Sequence, residues 1–344
     1  LDIRTVIEEH VLTITNDSNR ATPGLLKEAI NNFWATRADK VNHPSGWDLY
    51  KNTQIEFEKL TADERDGLLH EIDLEIDKGL LKKSGPHRHS DWNTGWGENL
   101  RALMAVEGAD SVGALSPKYF RKHSYERLGG VHVKVATYNG IETTLLGFIV
   151  DALTENLAHK YDVRELWEFG CGTGHHLLRM RNFLPNVKLV GLDWAESSQL
   201  ILQEISQRLK TSEITGENFD YFNPNFNLKP KNPDSPAIFL TVASLEQIGD
   251  RHDRFLEYVL SSGPSVVLHI EPIAEVLGDT REEQLSKKYF SARNYLSGYL
   301  TALRNLEKQG LASILSAERT GLGSMFIEGY SVVVWEPKKE KILN

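Results

Sequence analysis

The sequence predicts a doubly wound α/β fold on a mostly parallel sheet, preceded by a mainly helical N-terminal region. Three observations carry that expectation. From about residue 141 onward, short apolar runs alternate with stretches of helical periodicity, the order that crossover connections impose on parallel strands. The run 163–169 then breaks into three alternating glycines, Gly170, Gly172 and Gly174, and a helical pattern begins at once. A strand turning so sharply into a helix needs positive φ and no Cβ. Before residue 140, by contrast, apolar residues recur mostly at helical spacing.

In chain order, Leu25, Leu26, Ala29, Ile30, Phe33 and Trp34 mark a first helix. Thr61-Ala-Asp-Glu64 is a capping box opening a helix through about Lys83, with Leu68, Leu69, Ile72, Leu80 and Leu81 as its apolar positions and Gly85-Pro86 as its stop. Residues 87–98 read as a polar, aromatic loop carrying Trp92 and Trp96. Its His87, His89 and Asp91 are suitable metal donors, but no further ligand cluster is evident and no metal is expected. Strict alternation over 131–138 predicts a half-buried strand, and Asn139-Gly140 a turn. The boundary between an N-terminal region, 1–140, and a C-terminal domain, 141–344, falls here. A helix over 142–160 follows, then strands at 163–169, 187–193, 218–221, 237–243 and 265–271, with helices near 174–183, 196–210 and 255–260. A long helical stretch, 281–309, precedes two closing strands at 312–317 and 329–335.

Composition narrows the function classes. The 40% hydrophobic and 25% charged content is that of an ordinary globular protein. No apolar run approaches the ~20 residues of a membrane span, so no membrane partner is expected. A net charge of −9 argues against a nucleic-acid surface. Cys171 is the one cysteine; it excludes an intrachain disulfide and suits a cytoplasmic setting. Inside the glycine turn it reads as a small filler, not a nucleophile.

Two acids frame that turn. Glu168 lies two residues before Gly170, and Asp193 ends the next apolar run, where a carboxylate reaches ribose hydroxyls in a doubly wound sheet. A nicotinamide-type fingerprint would want a third small residue at position 175, which is His175. A phosphate-binding loop would need Gly-Lys-Ser/Thr, which does not follow. Because ligands of open parallel sheets lie beyond the carboxyl ends of the strands, Asp220-Tyr221, Ser244-Leu-Glu-Gln247 and His269-Ile-Glu271 are also nominated.

Glu168 with Gly170, Gly172 and Gly174, and Asp193 within Gly191-Leu-Asp-Trp194, resemble the two leading motifs of the class I S-adenosylmethionine-dependent methyltransferases. The resemblance runs from about residue 141 to the C-terminus and is sharp between 165 and 195. It implies a Rossmann-like, seven-stranded sheet with an antiparallel C-terminal strand, and S-adenosylmethionine as cofactor. It further implies that the glycine turn approaches the cofactor's amino-acid part, that Asp193 binds its ribose, and that Asp220 and Tyr221 contact adenine; Trp194 and Ser244 are further cofactor-binding candidates. Methyl transfer to a hydroxyl benefits from a general base, and His269, Glu271 and Glu246 sit at strand ends suited to it. The expected activity is methylation of oxygen or nitrogen on a small-molecule or saccharide-type metabolite. The alternatives are an NAD(P)-dependent oxidoreductase and a non-catalytic nucleotide-binding scaffold. The N-terminal region is expected to wall the acceptor pocket, a homodimer contact being its other use.

Overall fold

The computed structural model describes residues 20–21, 55–106, 112–117, 124–135, 141–230, 232 and 235–338. The helix expected at 25–34, Tyr138 and the Asn139-Gly140 turn lie outside the described residues. The N-terminal part contains strands β1 (Arg20–Ala21) and β2 (Ile55–Lys59), helices α1 (Ala62–Asp77), α2 (His89–Met104) and α3 (Val112–Leu115), and strands β3 (Tyr125–Leu128) and β4 (Val131–Val135). Then come α4 (Ile141–Lys160), β5 (Glu165–Phe169), α5 (His175–Met180), β6 (Lys188–Asp193), α6 (Glu196–Leu209), β7 (Ile214–Asn218) and β8 (Ala237–Val242). The chain continues through α7 (Asp253–Ser262), β9 (Val266–Glu271), α8 (Arg281–Arg293), α9 (Tyr299–Lys308), β10 (Ala312–Glu318), β11 (Gly323–Ser324) and β12 (Ser331–Pro337).

The main sheet has seven strands in the order β10-β12-β9-β8-β5-β6-β7. β12 runs antiparallel to both its neighbours, and the β9-β8-β5-β6-β7 pairings are parallel. Strands covered on both faces read as continuous apolar runs, and every residue of β8 and β9 is buried. Alternation along the strands divides the core. Leu166, Ile238, Leu268 and Val334 pack with Leu146, Leu153 and Leu177 of α4 and α5. Trp167, Phe239, Val267 and Trp335 pack on the other face with Phe255, Tyr258, Tyr299 and Leu303 of α7 and α9.

Four local expectations need correction. The helix opened by Thr61 keeps its capping box but ends at Asp77. Gly79 then takes φ 67 and Leu80 is exposed, so the glycine stops the helix before Gly85-Pro86. The stretch taken as a loop is largely helix α2, whose Trp96, Asn99 and Leu103 form the buried face. Strand three is Ile214–Asn218, not 218–221, which leaves Asp220 and Tyr221 in the following loop. The helical stretch 281–309 is two helices, because Asn294 (φ 54) and Gly298 (φ 73) adopt the left-handed conformation between them.

The N-terminal region is also not helical throughout. A second, antiparallel sheet orders β1-β2-β4-β3-β11, and β11 comes from the C-terminal part of the chain. Beside it α1 packs Leu68, Leu69, Ile72 and Ile76 against Leu285 of α8 and Met325. Among the described residues, no helix is long and apolar enough to cross a membrane.

Charged residues are buried where these pieces meet. Arg127 of β3 is fully buried, and its guanidinium donates to the carbonyl oxygens of Glu282 and Phe326. Arg319 donates from Nε to Glu328 Oε1 at 2.7 Å and also pairs with Glu283. Removing one partner of a buried ion pair leaves the others without compensation. Arg319→Ala is therefore expected to cost about 3–5 kcal/mol in urea unfolding, whereas a loss below about 1 kcal/mol would show that these carboxylates find other partners.

Candidate functional site

The glycine turn is built as the sequence suggests. Gly170, Gly172 and Gly174 have φ of 67, 54 and 68. The N–H groups of Gly170 and Cys171 donate to Leu192 O at 2.6 and 3.0 Å, pinning the turn to the end of β6. A Cβ on Gly174 would come within 2.4 Å of Leu202 Cδ2, so this glycine lets α6 pack close. A Cβ on Gly172 would lie 2.8 Å from the Trp96 ring. Helix α2 thus crosses directly over the turn.

Asp193 fastens the two βα turns together. Its Oδ2 accepts from Gly172 N–H at 2.9 Å and its Oδ1 from Ala195 N–H at 2.8 Å. Burial pushes its carboxyl up to about 6, against the pull of those two backbone donors. Glu168 Oε1 lies 2.6 Å from His176 Nδ1, and both residues are buried. The neighbouring His175 ring sits 3.9 Å from that of His176, and burial drives His175 well below the usual histidine range.

These groups line a cleft of about 860 Å³, open side included. Of the expected cofactor residues, Glu168, Gly170, Gly172, Asp193, Trp194, Tyr221 and Ser244 line it. Gly174 supports the turn from behind. Asp220 is not on the wall; its Oδ1 accepts from Phe222 N–H at 2.8 Å and shapes the loop after β7. Tyr221 Oη and Ser244 Oγ lie 3.0 Å apart, and Ser244 Oγ donates to Phe169 O at 2.8 Å. The wall also includes Gln247, which the strand-end rule nominated, and Phe219, Phe222, Thr173, His176 and Ala243, which sequence reasoning did not nominate. Ala243 has φ 46, and a strained non-glycine residue just past a strand end is characteristic of sites. Sequence offers no signal for that strain. The flanking phenylalanines Phe219 and Phe222 were visible as an aromatic cluster around Tyr221.

The three nominated catalytic groups, His269, Glu271 and Glu246, are not among the described residues that line the cleft. His269 is fully buried. Its Nε2 accepts from Trp335 Nε1 at 3.0 Å and lies 2.7 Å from Tyr299 Oη, and its Nδ1 lies 2.9 Å from Thr241 Oγ1. Burial lowers it to about 3. With both nitrogens satisfied inside the core it is no base for a ligand. Glu271 accepts from the N–H groups of Ser244, Leu245 and Glu246 at 3.1–3.2 Å, so it caps the turn after β8. Glu246 is buried behind the wall and accepts from Gln247 Nε2 at 2.8 Å.

The N-terminal segment is lashed across the carboxyl edge of the sheet. Trp92, Trp96 and Pro117 line the cleft, and the two indoles stack at 5.4 Å. Ser197 Oγ donates to Asn93 O at 3.0 Å, and Thr173 Oγ1 to Leu115 O at 2.7 Å. His89 Nε2 lies 3.1 Å from Trp194 O, and Asp91 accepts from Arg88 Nε at 2.7 Å. Among the described residues no cluster of three His, Cys, Asp or Glu side chains is arranged to hold a metal ion.

No family model matches the chain, and no curated protein matches it. Solved structures do. The magnesium protoporphyrin IX methyltransferase ChlM from Synechocystis PCC 6803 with bound S-adenosylhomocysteine is similar at 14% identity and a TM-score of 0.42, over 56% of this chain and 84% of that one. The plantazolicin methyltransferase BpumL in complex with S-adenosylhomocysteine is similar at 14% identity and a TM-score of 0.39, over 58% of this chain and 86% of that one. The methyltransferase domain of a bacterial Hen1 is similar at 14% identity and a TM-score of 0.40, over 56% of this chain and 99% of that one.

Burial, and then the Glu271 charge, push the Glu246 carboxyl up from 4.5 to about 8. The folded protein therefore holds a proton there that the unfolded chain releases, and stability falls as pH rises through that window. Glu246→Gln keeps the shape without the ionisation. Urea unfolding between about pH 5 and pH 8 is expected to show a shallower loss in the variant than in the parent. Equal slopes would mean that Glu246 ionises as freely in the fold as outside it.

Proposed function

We propose that this chain is an S-adenosylmethionine-dependent methyltransferase acting on oxygen or nitrogen of a small-molecule or saccharide-type acceptor. The observation that carries the reading is the pair of buried carboxylates on the cleft wall. Glu168 and Asp193 are 2% and 6% exposed, both line the cleft, and Glu168 Oε2 has no hydrogen-bond partner among the described residues. A buried acceptor left unpaired costs about 1–3 kcal/mol or more, which a cationic ligand group recovers. A sulfonium and an ammonium fit that wall. A dinucleotide pyrophosphate does not, because it would add negative charge beside two carboxylates.

The residues present therefore fit the cofactor. Asp193 is assigned to the ribose hydroxyls, Trp194, Phe219, Tyr221 and Phe222 to the adenine face, and the glycine turn with Glu168 to the amino-acid end. When bound, S-adenosylmethionine supplies an electrophilic methyl group on a sulfonium centre. The chain's own task is to align the acceptor and exclude water. Helix α2 and Pro117, seated over the glycine turn, are suited to wall the acceptor pocket, which favours that use of the N-terminal region over a homodimer contact. A single cysteine buried in the turn suits a cytoplasmic enzyme.

Calorimetry tests the cofactor assignment. The protein is expected to bind S-adenosylmethionine and not NADH, and Asp193→Ala to weaken that binding by about 1.5–3 kcal/mol, the loss of hydrogen bonds to a charged group. Tight NADH binding, or unchanged affinity in a folded Asp193 variant, would refute it. A metabolite screen with radiolabelled cofactor then identifies the acceptor.

A further inference from the structure

We infer that the indole N–H of Trp92, on the N-terminal segment, binds the carboxylate at the amino-acid end of the cofactor. The inference rests on the methyltransferase reading and adds to it a binding residue outside the glycine-turn domain.

Two residues of the described cleft wall each carry a buried side-chain polar atom with no partner among the described residues: Glu168 at Oε2, an acceptor, and Trp92 at Nε1, a donor. Other polar side chains on the wall are engaged. Thr173 donates to Leu115 O, His176 pairs with Glu168, and the Tyr221 and Ser244 hydroxyls bond each other. The Gln247 amide donates to Glu246 and accepts from Ser84 Oγ. An unpaired buried donor carries the same kind of penalty as an unpaired acceptor, so each orphan calls for a complementary ligand group. The amino-acid end of S-adenosylmethionine carries one of each kind, an ammonium for Glu168 and a carboxylate for Trp92.

Position and charge favour that pairing. Trp92 stacks on Trp96, and Trp96 packs over Gly172, so the indole belongs to the layer that covers the glycine turn. The described lining residues include no Lys or Arg to take the carboxylate. The bonds from Ser197 to Asn93, one residue along α2, hold the donor in place from the sheet side.

Two nucleosides separate this role from simple packing. S-Adenosylhomocysteine carries the amino-acid end, and 5′-methylthioadenosine lacks it. Trp92→Phe keeps the ring stack and removes the N–H. It is expected to lose about tenfold or more in affinity for S-adenosylhomocysteine and to stay within about twofold for 5′-methylthioadenosine, the signature of one charge-assisted hydrogen bond. Trp96→Phe, which disturbs packing over the turn, is expected to affect both nucleosides alike. In the unaltered protein the Trp92 indole proton resonance should shift with S-adenosylhomocysteine and not with 5′-methylthioadenosine, a measurement independent of how any variant folds. Equal losses on both probes, no loss on either, or an indole resonance that responds equally to both would overturn the assignment while leaving the methyltransferase reading standing. An unaltered protein that binds neither nucleoside would overturn both.

Discussion

The carboxylate of Asp193 is the fastening on which the cleft depends. It accepts from a backbone N–H in each of two successive βα turns, at Gly172 and Ala195, and so joins the ends of β5 and β6 above the last rung of their ladder. Burying it is costly, as its raised pKa of about 6 records, and two backbone donors offset only part of that cost. A ligand hydroxyl donating to the remaining lone pairs would complete a site already in place, with little ordering left to do on binding. The strained backbone at Ala243 and the Ser244–Tyr221 contact close the same floor from the β8 side.

Much of this was legible from the chain. Three glycines between an apolar strand and a helical pattern leave few alternatives to a tight turn, and near-continuous apolar runs such as 187–193 and 237–243 are what strands covered on both faces produce. Parity along the strands was the information not used. Glu168 shares its face with Leu166, toward α4, and lines the cleft. His269 and Glu271 share theirs with Val267, toward α7 and α9, among Tyr299 and Trp335. The rule that ligands lie beyond strand ends does not distinguish those faces, and so it nominated a core histidine and a turn cap.

What stayed hidden was mostly non-local. Helix α2 contains Gly95 and Gly97 and several polar residues, a weak helix by propensity. It forms because Trp96, Asn99 and Leu103 have a surface to bury against, and that surface is folded elsewhere in the chain. The second sheet is equally opaque, since β1 and β11 are only two residues each and declare themselves through partners and not through pattern. Tertiary context overrode propensity at both places.

The placement of β11 bears on how the molecule is made. β3 is completed by a strand that follows it at Gly323–Ser324, and Arg127 donates to Phe326 O across 199 residues of sequence. A chain emerging N-terminus first cannot close that sheet, or neutralise that buried guanidinium, until the main sheet has been delivered almost whole. Contacts of such long sequence separation form late. Strand β3 is therefore synthesised early and meets its last partner only when the C-terminal part of the chain arrives.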